Sequence, residues 1–594
     1  MNKNKNFTDI LKQAQTYHQE KDYKNEIKCL KKIILLKPDY YDGLLLLGIN
    51  LSLIKEYYNA AEYFVKAIDL RPDCYEGYKH LGKTLYLSKR ELDTAIMCLK
   101  KAISLNPDDK TSYFYLAEIY ISKNDHNSAI SILSVILILK PDDPDILFLL
   151  SQIYIKLNLF GQALHLLDKI TEIKPDHINA HFEKGNILAF FGDCGKATDC
   201  YKKVLEINPL HKSAQHRLGI SYSRDNHFEE GMEAFKKALD LGCDEIEIYG
   251  DMAATLLYNN FIDKAIEYYE KIIDKDPENA RILCAYGQTF LVKGDFDKGL
   301  KYYEYRLLKK DARVKKEIYS KISTPHWEGE PLDGKTIYTY YEQGFGDTVQ
   351  FARFIPDLVS MGANVIFKPQ NAFYDLFLEN NLGATIINPD IPDDEIEFDA
   401  HIPLMSLPYY LKTQVGNIPL SEGYIKANPD KVKEYKEKYF DNSMFKIGIA
   451  WQGGKFGFTN RNMPFEKFLD IAKIPNVKLY SFQKDDRGDQ INQKLDDMLN
   501  ENNIVNLGKT FNDFSDTAAA IENLDLVVMS DNSIIHVAGA LSKQTWLLLP
   551  YGSEWRWLLN RDDSPWYKSF KLFRQVEINN WDHVFENVIK ELHK

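Results

Sequence analysis

The spacing of polar and apolar positions changes once along the 594-residue chain, near residue 314. Before that point apolar residues recur at helical spacing, and the pattern is punctuated at regular intervals. Prolines stand at Pro38, Pro72, Pro107, Pro141, Pro175, Pro209 and Pro277, so the gaps are 34 or 35 residues except for one of 68, two periods, where Cys243 stands in the proline's place. Ten residues after each mark comes a small residue: Gly48, Gly82, Ala117, Ser151, Gly185, Gly219, Ala253 and Gly287. Some 22 or 23 residues after each mark comes another: Ala60, Ala95, Ala129, Ala163, Ala197, Gly231, Ala265 and Gly299. Small side chains let two antiparallel helices approach closely, and a proline ends the second helix before the next pair begins. The pattern predicts about nine helix pairs over residues 7–312.

Three markers in register over eight periods resemble the tetratricopeptide repeat family. The resemblance implies an α-solenoid whose concave face holds a peptide or a partner protein. Protein O-GlcNAc transferases join such repeats to a sugar-transfer domain and line the groove with asparagines. No such ladder stands here: the position two before each small residue reads Leu46, His80, Tyr115, Leu149, Glu183, Arg217, Asp251 and Ala285. The aromatic stripe at 113–116 reads as core, and the lone histidines His80, His126 and His181 as core or surface residues.

Beyond residue 314, short β-type runs at 336–340, 364–367, 445–450, 478–482, 524–529 and 544–549 alternate with helical stretches such as 347–361, 465–473 and 517–523. That alternation predicts parallel sheets covered by helices. It divides into two Rossmann-like lobes, at 325–428 and 429–594, with a polar helix at 430–439 bridging them. Two such lobes facing each other leave a cleft at the carboxyl ends of their strands.

Composition narrows the class. Hydrophobic residues make up 45% of the chain and aromatics 13%, enough for sizeable cores and against global disorder. The net charge of −12 argues against a general nucleic-acid binder but leaves room for a local anion pocket. There is no run of 18 apolar residues, and the N-terminus lacks the apolar stretch of a secretory signal. The seven cysteines include no CxxC pair and none beyond Cys284, so they read as buried thiols in a reducing cytoplasm.

Four stretches carry candidate chemistry. In the first, Glu342, Gln343, Gly344, Gly346 and Gln350 surround Asp347 just after the first strand. The glycines allow a tight turn close to a ligand on the acceptor side of the cleft. Asp347 is then either a general base or simply a helix cap. In the second, Asp531, Asn532 and Ser533 end a strand and open a helix, offering amide, hydroxyl and backbone N–H groups to a diphosphate, with His536 one turn further in. An ordinary capped helix with a satisfied histidine reads equally well. In the third, Trp451, Gln452 and Gly453 lead to Lys455, with Arg461 downstream and Gln483 and Lys484 after the next strand. The cations would neutralise a leaving phosphate, or are solvated loop charge. In the fourth, at 552–558, Trp555 and Trp557 either wall a sugar or base or pack the sheet edge. No Asp-x-Asp stands at a strand end in the second half, so no metal site is expected; Asp274 and Asp276 lie inside a repeat.

Taken in order, Pro325, His326 and Trp327, then Glu342 to Arg353, Phe511, Asp531 to Leu541, Trp546 to Pro550, Trp555 to Leu559 and Asp563 to Tyr567 resemble the glycosyltransferase domain fused to tetratricopeptide repeats in bacteria, related to the family 9 heptosyltransferases. The resemblance covers about 325–575. It implies a GT-B fold and an inverting, metal-independent sugar transfer from a nucleotide sugar, with no further cofactor. It implies Asp347 as base, and Asp531 and His536 on the donor. Asn532 stands where Thr or Ser is usual, and Gln544 where Pro is common. Relatives imply ADP-heptose-like or nonulosonate donors, and a protein acceptor such as flagellin presented by the repeats. The competing expectation is a non-catalytic interaction scaffold; a nucleotide-sugar epimerase has no use for a peptide groove.

Overall fold

The computed structural model describes residues 2–308, 322, 324–440, 443–453, 461–484, 489–552 and 554–594, in two compact units, Met1–Ser221 and Tyr222–Lys594. The expected junction at 312, Lys455 and Ser553 fall outside the described residues.

Eighteen helices run from Asn2–Gln19 to Phe296–Tyr303. The small marker residues sit where their size predicts. Ala60, Ala95, Ala129, Ala163 and Ala197 are fully buried. A Cβ on Gly48 would lie 2.6 Å from the Phe64 ring, and one on Gly287 would lie 2.6 Å from the backbone nitrogen of Tyr303. Asp22, Asp109, Asp125, Asp143, Asp193, Asp244 and Asp295 each accept a backbone N–H in the first turn of the following helix. A further mark of the same period appears only in the backbone. Lys21, Lys55, Lys89, Asn124, Asn158, Gly192, Asn226, Asn260 and Gly294 all have positive φ, in the turns before the second helix of each pair. Glycine and asparagine suit that conformation; lysine does not.

The second unit holds two parallel sheets. Strands β1 (Thr336–Tyr340), β2 (Asn364–Lys368), β3 (Thr385–Ile386) and β4 (Ala400–Pro403) lie in the order β3-β2-β1-β4. Strands β5 (Phe445–Ala450), β6 (Val477–Ser481), β7 (Val505–Asn506), β8 (Leu526–Ser530), β9 (Thr545–Leu549) and β10 (Phe570–Arg574) lie in the order β10-β9-β8-β5-β6-β7. Every residue of β8 and β9 is buried, because helices cover both faces. The order reverses between β1 and β4 in one sheet and between β5 and β8 in the other, and such reversals are where α/β sheets open a crevice.

The helix expected at 347–361 is two helices, Phe345–Ala352 and Ile355–Ser360. Pro356 lacks the N–H that would continue the ladder. The two compact units part at residues 221 and 222, inside the repeats. The reason is packing. Phe296 and Tyr303 of the last repeat share one core with Phe351, Trp555 and Trp566 of the α/β region. Helices that bury their apolar face on the sheets belong to that folding unit.

Candidate functional site

A cavity of about 730 Å³ opens where β1, β5, β6, β8 and β9 end. That volume lies in the range of small-molecule sites. Two helix N-termini open onto it. The first follows the glycine turn after β1. Gly344 donates its N–H to Asp347 Oδ2 at 2.9 Å, which closes the first turn of Phe345–Ala352. Oδ1 of the same carboxylate accepts from Arg556 Nη2. The second follows β8, where Asn532 caps Ser533–Ala540 and its Oδ1 accepts the Ile534 N–H at 2.9 Å. Glycine at 346 lets the two starts meet: a Cβ there would lie 2.7 Å from the His536 ring. His536 Nδ1 is 3.0 Å from the Tyr567 hydroxyl.

The loops after β5 and β6 form the far side. Gln483 Oε1 accepts the backbone N–H groups of Gln452 at 3.0 Å and Trp451 at 3.3 Å. Gly453 lies so close to β8 that a Cβ would approach the Asp531 carbonyl to 2.6 Å. Arg461 reaches Asp531 Oδ2 at 3.3 Å and Glu554 Oε2 at 3.5 Å. Glu554 also pairs with Arg556 through Oε1. The result is one run of alternating charge: Asp347, Arg556, Glu554, Arg461, Asp531.

Of the residues singled out in sequence, Gln343, Gly344, Gly346, Asp347, Gln452, Gly453, Arg461, Gln483, Lys484, Asp531, Asn532, Ser533 and His536 line this cavity. Five others lie behind it. Trp451 packs on Phe465, with ring centroids 4.8 Å apart. Trp555 packs among Phe296, Tyr303 and Trp566, and Trp557 stacks against His536 and Phe570. These rings are core and offer no wall to a sugar, because two bulky apolar side chains gain more from burial than from a wet cleft. Gln350 is buried and accepts Arg556 Nε at 2.6 Å. Glu342 is buried in a forked pair with Arg306, at 2.6 and 2.9 Å.

Sequence reasoning passed over Glu554 and Arg556. The signal was present: two tryptophans one residue to either side of an arginine carry it inward with them, and a buried arginine demands carboxylates. Burial sets the electrostatics of the site. It raises the Asp347 carboxyl above the usual range, against the pull of Arg556. It raises Asp531 likewise, against Arg461. It depresses His536 well below the ordinary histidine range, aided by Arg556, Arg353 and Arg461, so the ring is neutral at pH 7. Asp347 keeps lone pairs beyond its two bonds, and a raised carboxyl is the better proton acceptor. Among the described residues, no group of three His, Cys, Asp or Glu is placed to hold a metal ion, and no helix is long and apolar enough to cross a membrane.

Fold and sequence together define a protein with tetratricopeptide repeats and a parallel α/β region. Residues 11–40 and 251–313 match tetratricopeptide-repeat models, and residues 88–183 match the model of anaphase-promoting complex, cyclosome, subunit 3. Among curated proteins, the chain is 24% identical to Protein FlbA of Caulobacter vibrioides over 306 residues, 46% of this chain. It spans about half, 48%, of that relative's length. Solved structures also match parts of the chain. YrrB, described as a TPR protein with an unusual peptide-binding site, is 26% identical, covering 31% of this chain and 93% of its own, at a TM-score of 0.27. PilF of Pseudomonas aeruginosa is 16% identical, covering 35% and 95%, at a TM-score of 0.31. The C-terminal part of a repeat protein from Cytophaga hutchinsonii is 17% identical, covering 46% and 97%, at a TM-score of 0.33.

Proposed function

We propose that the chain is a glycosyltransferase of the GT-B type, moving a sugar from a nucleotide-sugar donor to an acceptor hydroxyl with inversion. No metal and no further cofactor take part in this reading. The acceptor is a protein presented by the repeats, in the cytoplasm. The observation that carries it is the meeting of two helix starts in one cavity, with Asp347 at one and Asp531 to His536 at the other. Asp347 takes the proton of the acceptor hydroxyl as the oxygen attacks the anomeric carbon. The nucleotide leaves toward the Ser533–Ala540 helix start, where backbone N–H groups and the nearby Arg461 and Lys484 meet its phosphates.

The test is nucleotide release from a panel of nucleotide sugars, with and without candidate acceptor protein. Wild type releases nucleotide from one donor. Asp347→Asn keeps donor affinity and loses activity by at least about 100-fold, the usual weight of a general base. Full activity in that variant removes the base assignment. A second reading has its own support. Both Asp347 oxygens already hold partners, as they would in a repeat scaffold with a silent α/β region. Such a scaffold releases no nucleotide from any donor.

A further inference from the structure

Glu554 stands in the cavity between two arginines, with Oε2 3.5 Å from Arg461 Nη2 and Oε1 on Arg556 Nη1. Its side chain is only 10% exposed. Among the described residues, the lining carries three cations, Arg461, Lys484 and Arg556, and three carboxylates, Asp347, Asp531 and Glu554. Each arginine here already faces a carboxylate, which opposes a polyanion, although two forked guanidinium groups facing one point suit a phosphate well. In this structure the group at that point is the chain's own carboxylate.

We propose that Glu554 is a built-in placeholder, holding the anion position between Arg461 and Arg556 until the diphosphate of a ligand displaces it. The transferase reading supplies only the class of anion. The backbone favours a side-chain exchange over loop movement. Gly552 is wedged on the last repeats, where a Cβ would meet the Tyr258 carbonyl at 2.5 Å, and Trp555 and Trp557 are locked in the core. Among the described residues of this stretch, Glu554 is the one carboxylate with a place in the cavity. Its departure adds one net positive charge where the phosphates arrive, so ligand entry and creation of the anion site are one event.

Inorganic pyrophosphate is the probe, titrated calorimetrically against the full chain. Glu554→Gln should bind it at least tenfold more tightly than wild type, and Glu554→Asp should fall between them. The gain should persist in 0.5 M salt, where charges further away than about 4 Å are screened. It should vanish in the Glu554→Gln, Arg461→Gln double variant. If removing the carboxylate weakens the fold, the melting temperature of Glu554→Gln should rise more on adding pyrophosphate than that of wild type. Equal affinity in wild type and Glu554→Gln overturns the proposal, as does a gain that disappears in salt or survives loss of Arg461. A pyrophosphate gain without nucleotide release from any donor keeps the placeholder and removes the transferase; release with no gain does the reverse.

Discussion

A buried arginine is the residue on which the site turns. Arg556 touches Asp347, Gln350 and Glu554 at once, with its guanidinium 4.8 Å over the Trp555 ring. Along the charge run Asp347 meets Arg556 and the Gly344 N–H, Glu554 meets an arginine on either side, and Asp531 meets Arg461, which is what makes so many buried charges tolerable. Backbone strain marks the same place: Leu558 has φ 52° and ψ −172°, a region side chains rarely adopt. Another buried polar pair sets a pH dependence. His401 lies against the Tyr340 hydroxyl at 3.0 Å, and burial, helped by His326, lowers its pKa to about 4. Unfolded histidine takes up its proton near 6.5, so the unfolded state binds more protons between these values. The histidine's contribution is therefore whole above pH 6.5 and lost as the pH falls toward 4. By pH 5 the loss is about 2 kcal/mol from this residue. Thermal melting at pH 7 and pH 5 should show the drop in wild type and a smaller one in His401→Gln; equal drops would remove His401 as the cause.

At the scale of elements, the helix pairs were legible and their turns were not. The 34-residue marks gave helix ends and close contacts because proline and small residues act locally. The left-handed turn residues follow the same period, yet three of the nine are lysine, a residue with no preference for that conformation. They adopt it because the packing of both helices fixes the turn between them. Gly192 isolates the backbone part of this effect, since φ is 88° and no atom lies within 4 Å of its would-be Cβ. Gly192→Ala should lower unfolding free energy by about 1 kcal/mol in urea titration, and Lys89→Gly should not. A neutral Gly192→Ala would mean the turn relaxes out of the left-handed region. Strands tell a similar story. The runs rich in Val, Ile and Leu were readable. The two-residue strands β3 and β7 exist only because a neighbour offers an edge, and β4, Ala400–Pro403, ends in a residue that opposes strand assignment.

At the scale of the whole molecule, the last repeats are part of the α/β unit. Arg306 binds Glu342 and Ser406 from across the chain, next to the glycine turn. Asn260 donates to the Tyr551 carbonyl at 3.3 Å, beside the Glu554 loop. Cutting at the expected boundary would strip Phe296 and Tyr303 from Trp555 and Trp566 and leave Glu342 without its arginine. A fragment of residues 222–594 should be monomeric and unfold cooperatively. A fragment of residues 325–594 should aggregate, or unfold at much lower urea concentration, in size-exclusion and fluorescence measurements. Equal midpoints for the two would show the repeats to be dispensable to the site.

The amino-acid sequence determined the repeat period, the helix pairs, the strand-rich second half and most residues that line the cavity. It could do so because helix ends, close helix contacts, buried strands and glycine turns are each set by a few neighbouring residues. Tertiary structure alone decided which charges meet. It placed Arg556 on Asp347, set Glu554 between two arginines and drew the tryptophans into the core. The Arg556–Asp347 pair alone joins residues 209 positions apart, and local pattern carries no information about such pairs. They are fixed by the burial of apolar faces, which brings the loops together and forces every charge carried inward to find its opposite.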